Sequence, residues 1–210
     1  MPYLFLLTLQ KMAKTMTKIT LYASLLSVLF LGSCSNKKYA LKTAEANNYQ
    51  ILGDSLAMAS QKALIGVLTK TINKSGTTQA IEFCNANALK MVDSLSQRYN
   101  CTIQRVSDKY RNPADQPLSK LDKAILGEYK TNHLAGKKLT SSVNRSKNQT
   151  YYYKPITIAM PTCLKCHGDK STDIEAATLQ KIQELYPNDQ AFGYKQGDFR
   201  GVWKITFNQK

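Results

Sequence analysis

Two cysteines three positions apart, with a histidine directly behind them, constrain this chain more than any other feature: Cys163-Leu164-Lys165-Cys166-His167. That order is the attachment pattern of c-type haem. Each thiol adds across a vinyl group to give a thioether, and the adjacent imidazole then lies under the iron as its proximal ligand. Fixing the ring covalently makes the histidine contact intramolecular, so a small domain can hold the cofactor with a thin core. Two other chemistries compete for the motif. A zinc half-site would need partner ligands, yet the only other histidine is His133 and no second closely spaced cysteine pair exists. A thioredoxin-like pair would open a helix after a strand, whereas Pro161-Thr162 precede the motif here. The expectation is one covalent haem c on Cys163 and Cys166, with His167 on the iron.

Haem of this type is attached after export, and the N-terminus carries an export signal. Residues 1–33 contain no acid; Lys11, Lys14 and Lys18 form a basic region, and Ile19 to Leu31 an apolar one too short to span a membrane comfortably. The run ends in Leu31-Gly32-Ser33-Cys34, which resembles a bacterial lipobox, in which the cysteine is acylated and becomes the new N-terminus. Cys34 is therefore the expected lipidation site, and a bacterial membrane facing the periplasm or outer surface the expected location. The apolar Tyr3 to Leu9 is odd in front of a basic region, and a start at Met12 or Met16 would leave a leader of normal design.

The leader holds three lysines and no acid, so the +15 of the whole chain becomes +12 without it. Such a surplus suits anionic lipid or an acidic redox partner, although scattered lysines are more often a solvated surface. An exported chain is not expected to bind nucleic acid. With Cys34 assigned to lipid and two cysteines to haem, Cys84 and Cys101 remain. In an oxidising compartment they are able to pair as a disulfide.

Residues 34–48 read as a polar tether, and residues 49–210 as one domain. Ile51, Leu52, Leu56, Ala59, Ala63 and Leu64 recur at helical spacing from Tyr49, and Asn73 to Thr78, with Gly76, ends that helix. Thr78 is placed to cap a second helix whose inward stripe is Ile81, Cys84, Ala88, Met91 and Leu95. A short strand over Cys101 to Ser107, a turn-rich Tyr110 to Pro117 and a helix from Leu118 to His133 follow. Gly136 to Gln149 reads as a loop. Tyr151 to Met160 reads as a strand with Ile156, Ile158 and Met160 on one face. Ser171 or Thr172 is placed to cap a further helix ending near Tyr186-Pro187, and Phe199 to Phe207 is the last strand, with Trp203, Ile205 and Phe207 inward. The sum is an α+β layer fold.

The iron's second axial ligand is open on these grounds. Met58, Met91 and Cys84 all lie on helices able to reach it; Met160 is too near His167 along the chain, and His133 sits at a helix end. Arg105 or Arg200 is suited to neutralise a haem propionate, since arginine pairs well with carboxylates. The plainer account of Tyr194, Asp198 and Arg200 is a glycine-rich hairpin before the last strand.

Three segments around the motif carry a family resemblance: Ala80-Ile81-Glu82-Phe83-Cys84; Arg105-Val106-Ser107 with Arg111-Asn112-Pro113; and Tyr186-Pro187 with Gly193-Tyr194, Gly197-Asp198 and Arg200-Gly201. In this order and spacing they resemble the PAS-like c-type haem domain, long catalogued only as a bacterial domain of unknown function. The resemblance runs from about residue 50 to 208. It implies a PAS-like antiparallel sheet flanked by helices, with long N-terminal helices. It also implies Cys84 as second axial ligand, and a role as redox or diatomic-gas sensor or small electron carrier. Cys101 departs from the family pattern, and a Cys84–Cys101 disulfide would remove the implied ligand. A thiolate beside ferric haem makes a neutral set, and adding an electron to a buried neutral set is disfavoured, so such a site should have a low potential. Two other classes stay in view: a haem enzyme with an open distal site, peroxidase-like, and a zinc-binding lipoprotein.

Overall fold

The computed structural model describes residues 43–87 and 90–208, with side chains for 44–87 and 92–208. The leader, Cys34, Ala88 and the side chain of Met91 lie outside the described residues. The apolar-periodic stretch spans α1 (Thr43–Asn87), two helical runs joined at a kink. It begins at Thr43, so the end of the expected tether is helical. Gly76 sits inside it at φ 83°, ψ 176°, a conformation effectively reserved for glycine, and kinks the helix. The break expected at Gly76 is thus present, as an interruption between the two runs. The described residues resume in a short helix, α2 (Lys90–Arg98), which carries the second half of the predicted stripe.

The chain continues through β1 (Cys101–Val106) and a 3-10 turn at Pro113–Asp115, capped by Asn112, whose side chain accepts from Ala114 N–H. Helix α3 (Lys120–Leu134) opens with a reciprocal capping box between Ser119 and Asp122. Then come β2 (Ser142–Ser146), β3 (Gln149–Thr157), α4 (Pro161–His167), α5 (Ala176–Leu185) and β4 (Phe199–Phe207). All four strands pair antiparallel in the order β1-β4-β3-β2. Strand β2 lies in the stretch read as a loop. β3 stops at Thr157, so Met160 is not a strand residue but the N-cap of α4. Glu175, not Ser171 or Thr172, precedes α5; the backbone N–H groups of those two residues donate to the Asp169 carboxylate.

Alternation along the strands sorts two cores. Cys101, Ile103, Tyr152, Trp203, Ile205 and Phe207 pack with Leu56 and Ala57 of α1 and Val92 of α2. On the opposite face Val106, Tyr153 and Val202 pack with Ile125, Leu126 and Tyr129 of α3. The result is a PAS-like α+β fold, an antiparallel sheet with helices on both faces. Beyond the kink, Ile81 of α1 packs on Ile182 of α5, and the hydroxyls of Thr77 and Thr178 meet at 2.5 Å.

Polar ties fix α1 to the sheet. Asp54 accepts from Tyr152 O–H at 2.5 Å, Lys154 Nζ at 2.7 Å and Gln50 Nε2 at 3.0 Å. Burial alone would raise its pKa; these donors outweigh that and hold it at about 2, against an ordinary 3.8. Between those values an unfolded chain takes up a proton that the folded one refuses, so stability is lost as pH falls from about 4 to about 2. Acid titration followed by circular dichroism should show this loss, and Asp54→Asn should flatten that part of the curve while lowering stability at neutral pH. An unchanged acid limb in the variant would refute the role given to Asp54.

Candidate functional site

Between α1, the open ends of β1, β3 and β4, and helix α4 lies a cavity of about 220 Å³. Its walls are largely apolar: Leu64, Ile65, Leu68 and Ile72 come from α1, and Ile156 and Ile158 from β3 and its exit. Cys163, Cys166 and His167 line one side. Their helix follows β3 closely, with Pro161 in its first turn, where a missing N–H costs nothing. The cysteine pair therefore does sit on a helix after a strand. The proline that argued against this arrangement is what starts the helix.

His167 is half-buried and faces the cavity. Its Nδ1 lies 2.9 Å from the carbonyl oxygen of Ala191. Burial, with the nearby cations of Arg111, Arg200 and Arg105, holds its pKa well below the usual histidine range, against the pull of that carbonyl. The ring is thus neutral, Nδ1–H donates to Ala191, and the lone pair of Nε2 is free for a metal. Tyr194 meets the ring edge-on at 6.3 Å, and its backbone N–H donates to the His167 carbonyl. Burial pushes the Cys166 thiol up to about 11, with Arg111 opposing.

Cys84 reaches the same cavity from α1, beyond the kink. Burial raises its thiol, and Arg105 and Arg111 offset part of the rise. Cys101 does not join it. Both thiols are free; Cys101 is buried in the core under α1 and α2, whereas Cys84 faces the cavity, so the disulfide alternative is overturned. Met58 is also overturned as a candidate ligand: it is 61% exposed on the outer side of α1, because the inner side is taken by Leu56, Ala57 and Ser60. Met160 lines the cavity; His133 does not.

The polar part of the wall is cationic. Arg105 pairs with the buried Asp115 at 3.4 Å, and Arg111 with Asp189 at 2.8 Å. Among the described residues no carboxylate pairs with Arg200. Its Nη1 donates to Ser107 Oγ at 2.7 Å, while its buried Nε has no partner. A bulge puts it there. Gly201 pairs with Ile156 and Phe199 with Thr157, which leaves Arg200 as the extra residue in β4, re-aimed by the irregularity. Gly201 makes the approach possible, since a Cβ would lie 2.6 Å from the Val106 carbonyl oxygen. An apolar slot with two thiols and an unprotonated imidazole on one side, and an arginine with an orphaned N–H at its polar rim, fits haem with its carboxylates. Among the described residues no group of three His, Cys, Asp or Glu side chains is disposed around one point, so the zinc alternative gains nothing.

The model of the Tll0287-like family matches residues 12–208. The chain belongs to the Tll0287-like family. Among solved structures, the crystal structure of the cyanobacterial heme-protein Tll0287 is similar, with a TM-score of 0.58 at 25% identity over 81% of this chain and 98% of that one. A comparison with curated proteins finds no match.

For this member of the Tll0287-like family, the sequence reading missed Arg111, Asp189, Ser107 and Asp115 as parts of the cavity wall or its support. Arg111 and Asp189 are 78 residues apart, and nothing in either neighbourhood signals the pairing. Asp198, by contrast, is turn chemistry: its carboxylate accepts from Lys195 N–H, and its carbonyl from Ile158 N–H.

Proposed function

We propose that the protein is an exported, lipid-anchored c-type cytochrome with one covalent haem, acting as a sensor of redox state or of a diatomic gas. One observation carries the haem assignment: Cys163, Cys166, His167 and the distant Cys84 line a single apolar cavity rimmed by arginines. The heme-protein title of the similar solved structure supports it. Haem c, when bound, would supply one-electron chemistry at iron. Cys163 and Cys166 hold the ring through thioethers, and His167 offers Nε2. Arg200 and Arg105 would neutralise the propionates, and Cys84 would offer the iron a sulfur ligand. A thiolate there favours the ferric state and disfavours a high-potential carrier, which is why sensing is preferred to electron transfer. Electron transfer to an acidic partner is the second reading, favoured by the +12 surplus outside the leader. A peroxidase-like enzyme lacks support, because His133, the only other histidine, does not line the cavity. Acylated Cys34 is the proposed membrane anchor.

Intact mass of the mature protein, with haem staining under denaturing conditions, tests the assignment. The expected mass is chain plus lipid plus one macrocycle, and Cys163→Ser with Cys166→Ser returns it to chain plus lipid. A wild-type mass lacking the macrocycle would end the proposal.

A further inference from the structure

We propose that Arg111 is a positioning residue that fixes the hydrogen bond on His167 Nδ1 and so sets the reduction potential of the iron. The inference rests on the reading that His167 ligates that iron. Arg111 is 9% exposed, and its two arms reach the two things that orient the imidazole. Nη2 donates to the Cys166 carbonyl oxygen at 2.6 Å, on the peptide leading into His167. Nε donates at 2.8 Å to Asp189 Oδ2, on a side chain only 2% exposed. The other oxygen, Asp189 Oδ1, accepts from Ala191 N–H at 2.7 Å. Ala191 in turn presents the carbonyl that receives the His167 proton at 2.9 Å. The circuit is closed: one rigid guanidinium holds both the peptide that carries the ring and the turn that accepts its proton. A second bond, Gln190 N–H to the Tyr110 carbonyl at 3.0 Å, ties the same turn to the segment of Arg111.

A well-held acceptor on Nδ1–H makes Nε2 more basic, which favours the more positive, ferric iron. Loosening the acceptor raises the potential. Deleting the cation does the opposite, since a nearby positive charge opposes ferric iron. Lysine separates the two effects: it keeps the charge and loses the planar fork that spans both acceptors.

The test is the midpoint potential of the purified haem-loaded protein, by spectroelectrochemical titration, in wild type, Arg111→Lys and Asp189→Asn. Far-UV circular dichroism reports the fold. Arg111→Lys should favour reduction tenfold, about 59 mV upward for one electron, with an unchanged dichroism spectrum. Asp189→Asn, which cannot serve both Arg111 Nε–H and Ala191 N–H as acceptor, should move the potential the same way and covers the case in which the lysine variant does not fold. Wild-type potentials in both folded variants, or a fall in either, would overturn the proposal while leaving the haem assignment intact. A wild-type protein without haem would overturn both.

Discussion

On the proposed haem ligation, Cys84→Ala is expected to favour reduction at least a hundredfold in the one-electron equilibrium, about 120 mV upward, and to let the ferrous protein bind carbon monoxide. The physical basis lies in the position of the thiol. Cys84 is in the cavity wall, where burial alone would keep it protonated and Arg105 and Arg111 favour its anion. In the proposed ligation, a trivalent iron would be the further charge that holds the thiolate. Its removal takes away the anion that balances the ferric state, and the reduced form gains. The measurement is a redox titration with ferric and ferrous absorption spectra. Cys101→Ala is the control. That thiol is buried among Ile103, Ile205 and Phe207, so its loss should lower stability and leave the potential alone. A Cys84→Ala protein with the wild-type ferric spectrum and potential would remove Cys84 from the iron.

Gly53→Ala is expected to destabilise the fold by about 3 kcal/mol, lowering Tm by about 6–12 °C. A Cβ at residue 53 would stand 2.3 Å from Cγ of Tyr152 and 2.4 Å from Cδ2. That ring is fully buried and cannot step aside, because its hydroxyl is bound to Asp54 and its backbone lies in β3 between β2 and β4. Helix α1 must therefore lift from the sheet. The helix-propensity gain of alanine over glycine, about 1 kcal/mol, does not offset this. The same substitution at Gly66, in the same helix, meets nothing within 4 Å and should stabilise by about 0.5–1 kcal/mol. Opposite signs at the two sites, read by thermal denaturation, check the packing; a neutral Gly53→Ala would refute it.

What the sequence made legible was local. The haem motif, the α+β pattern and the inward face of β4 each follow from neighbouring residues. Strand β2 was not legible. Ser142–Ser146 is polar, with every residue half-buried, so no alternation marks it, and only β3 on one side makes it a strand. The break at Gly76 was legible, because a glycine among Asn73, Lys74 and Ser75 looks like a terminus; the second helical run follows at once and packs Ile81 on α5. By sequence Met58 lies on a helix able to reach the iron, but the face of α1 against the sheet is taken by Leu56, Ala57 and Ser60. Arg200 was legible as a cation in a cavity only by its chemistry, since the bulge that aims it depends on register with β3. Arg111 and Asp189 needed the tertiary structure outright.

The strand order carries a consequence for biogenesis. β4 comes after the other three strands along the chain, yet it lies between β1 and β3. During synthesis the first strand and the β2–β3 hairpin must wait, edges open, for a segment that leaves the ribosome after both. Such late, long-range pairing is slow, and open edges invite wrong partners. The side of the cavity that carries Arg200 and Trp203 is thus the last to be built, long after the cysteine motif has emerged.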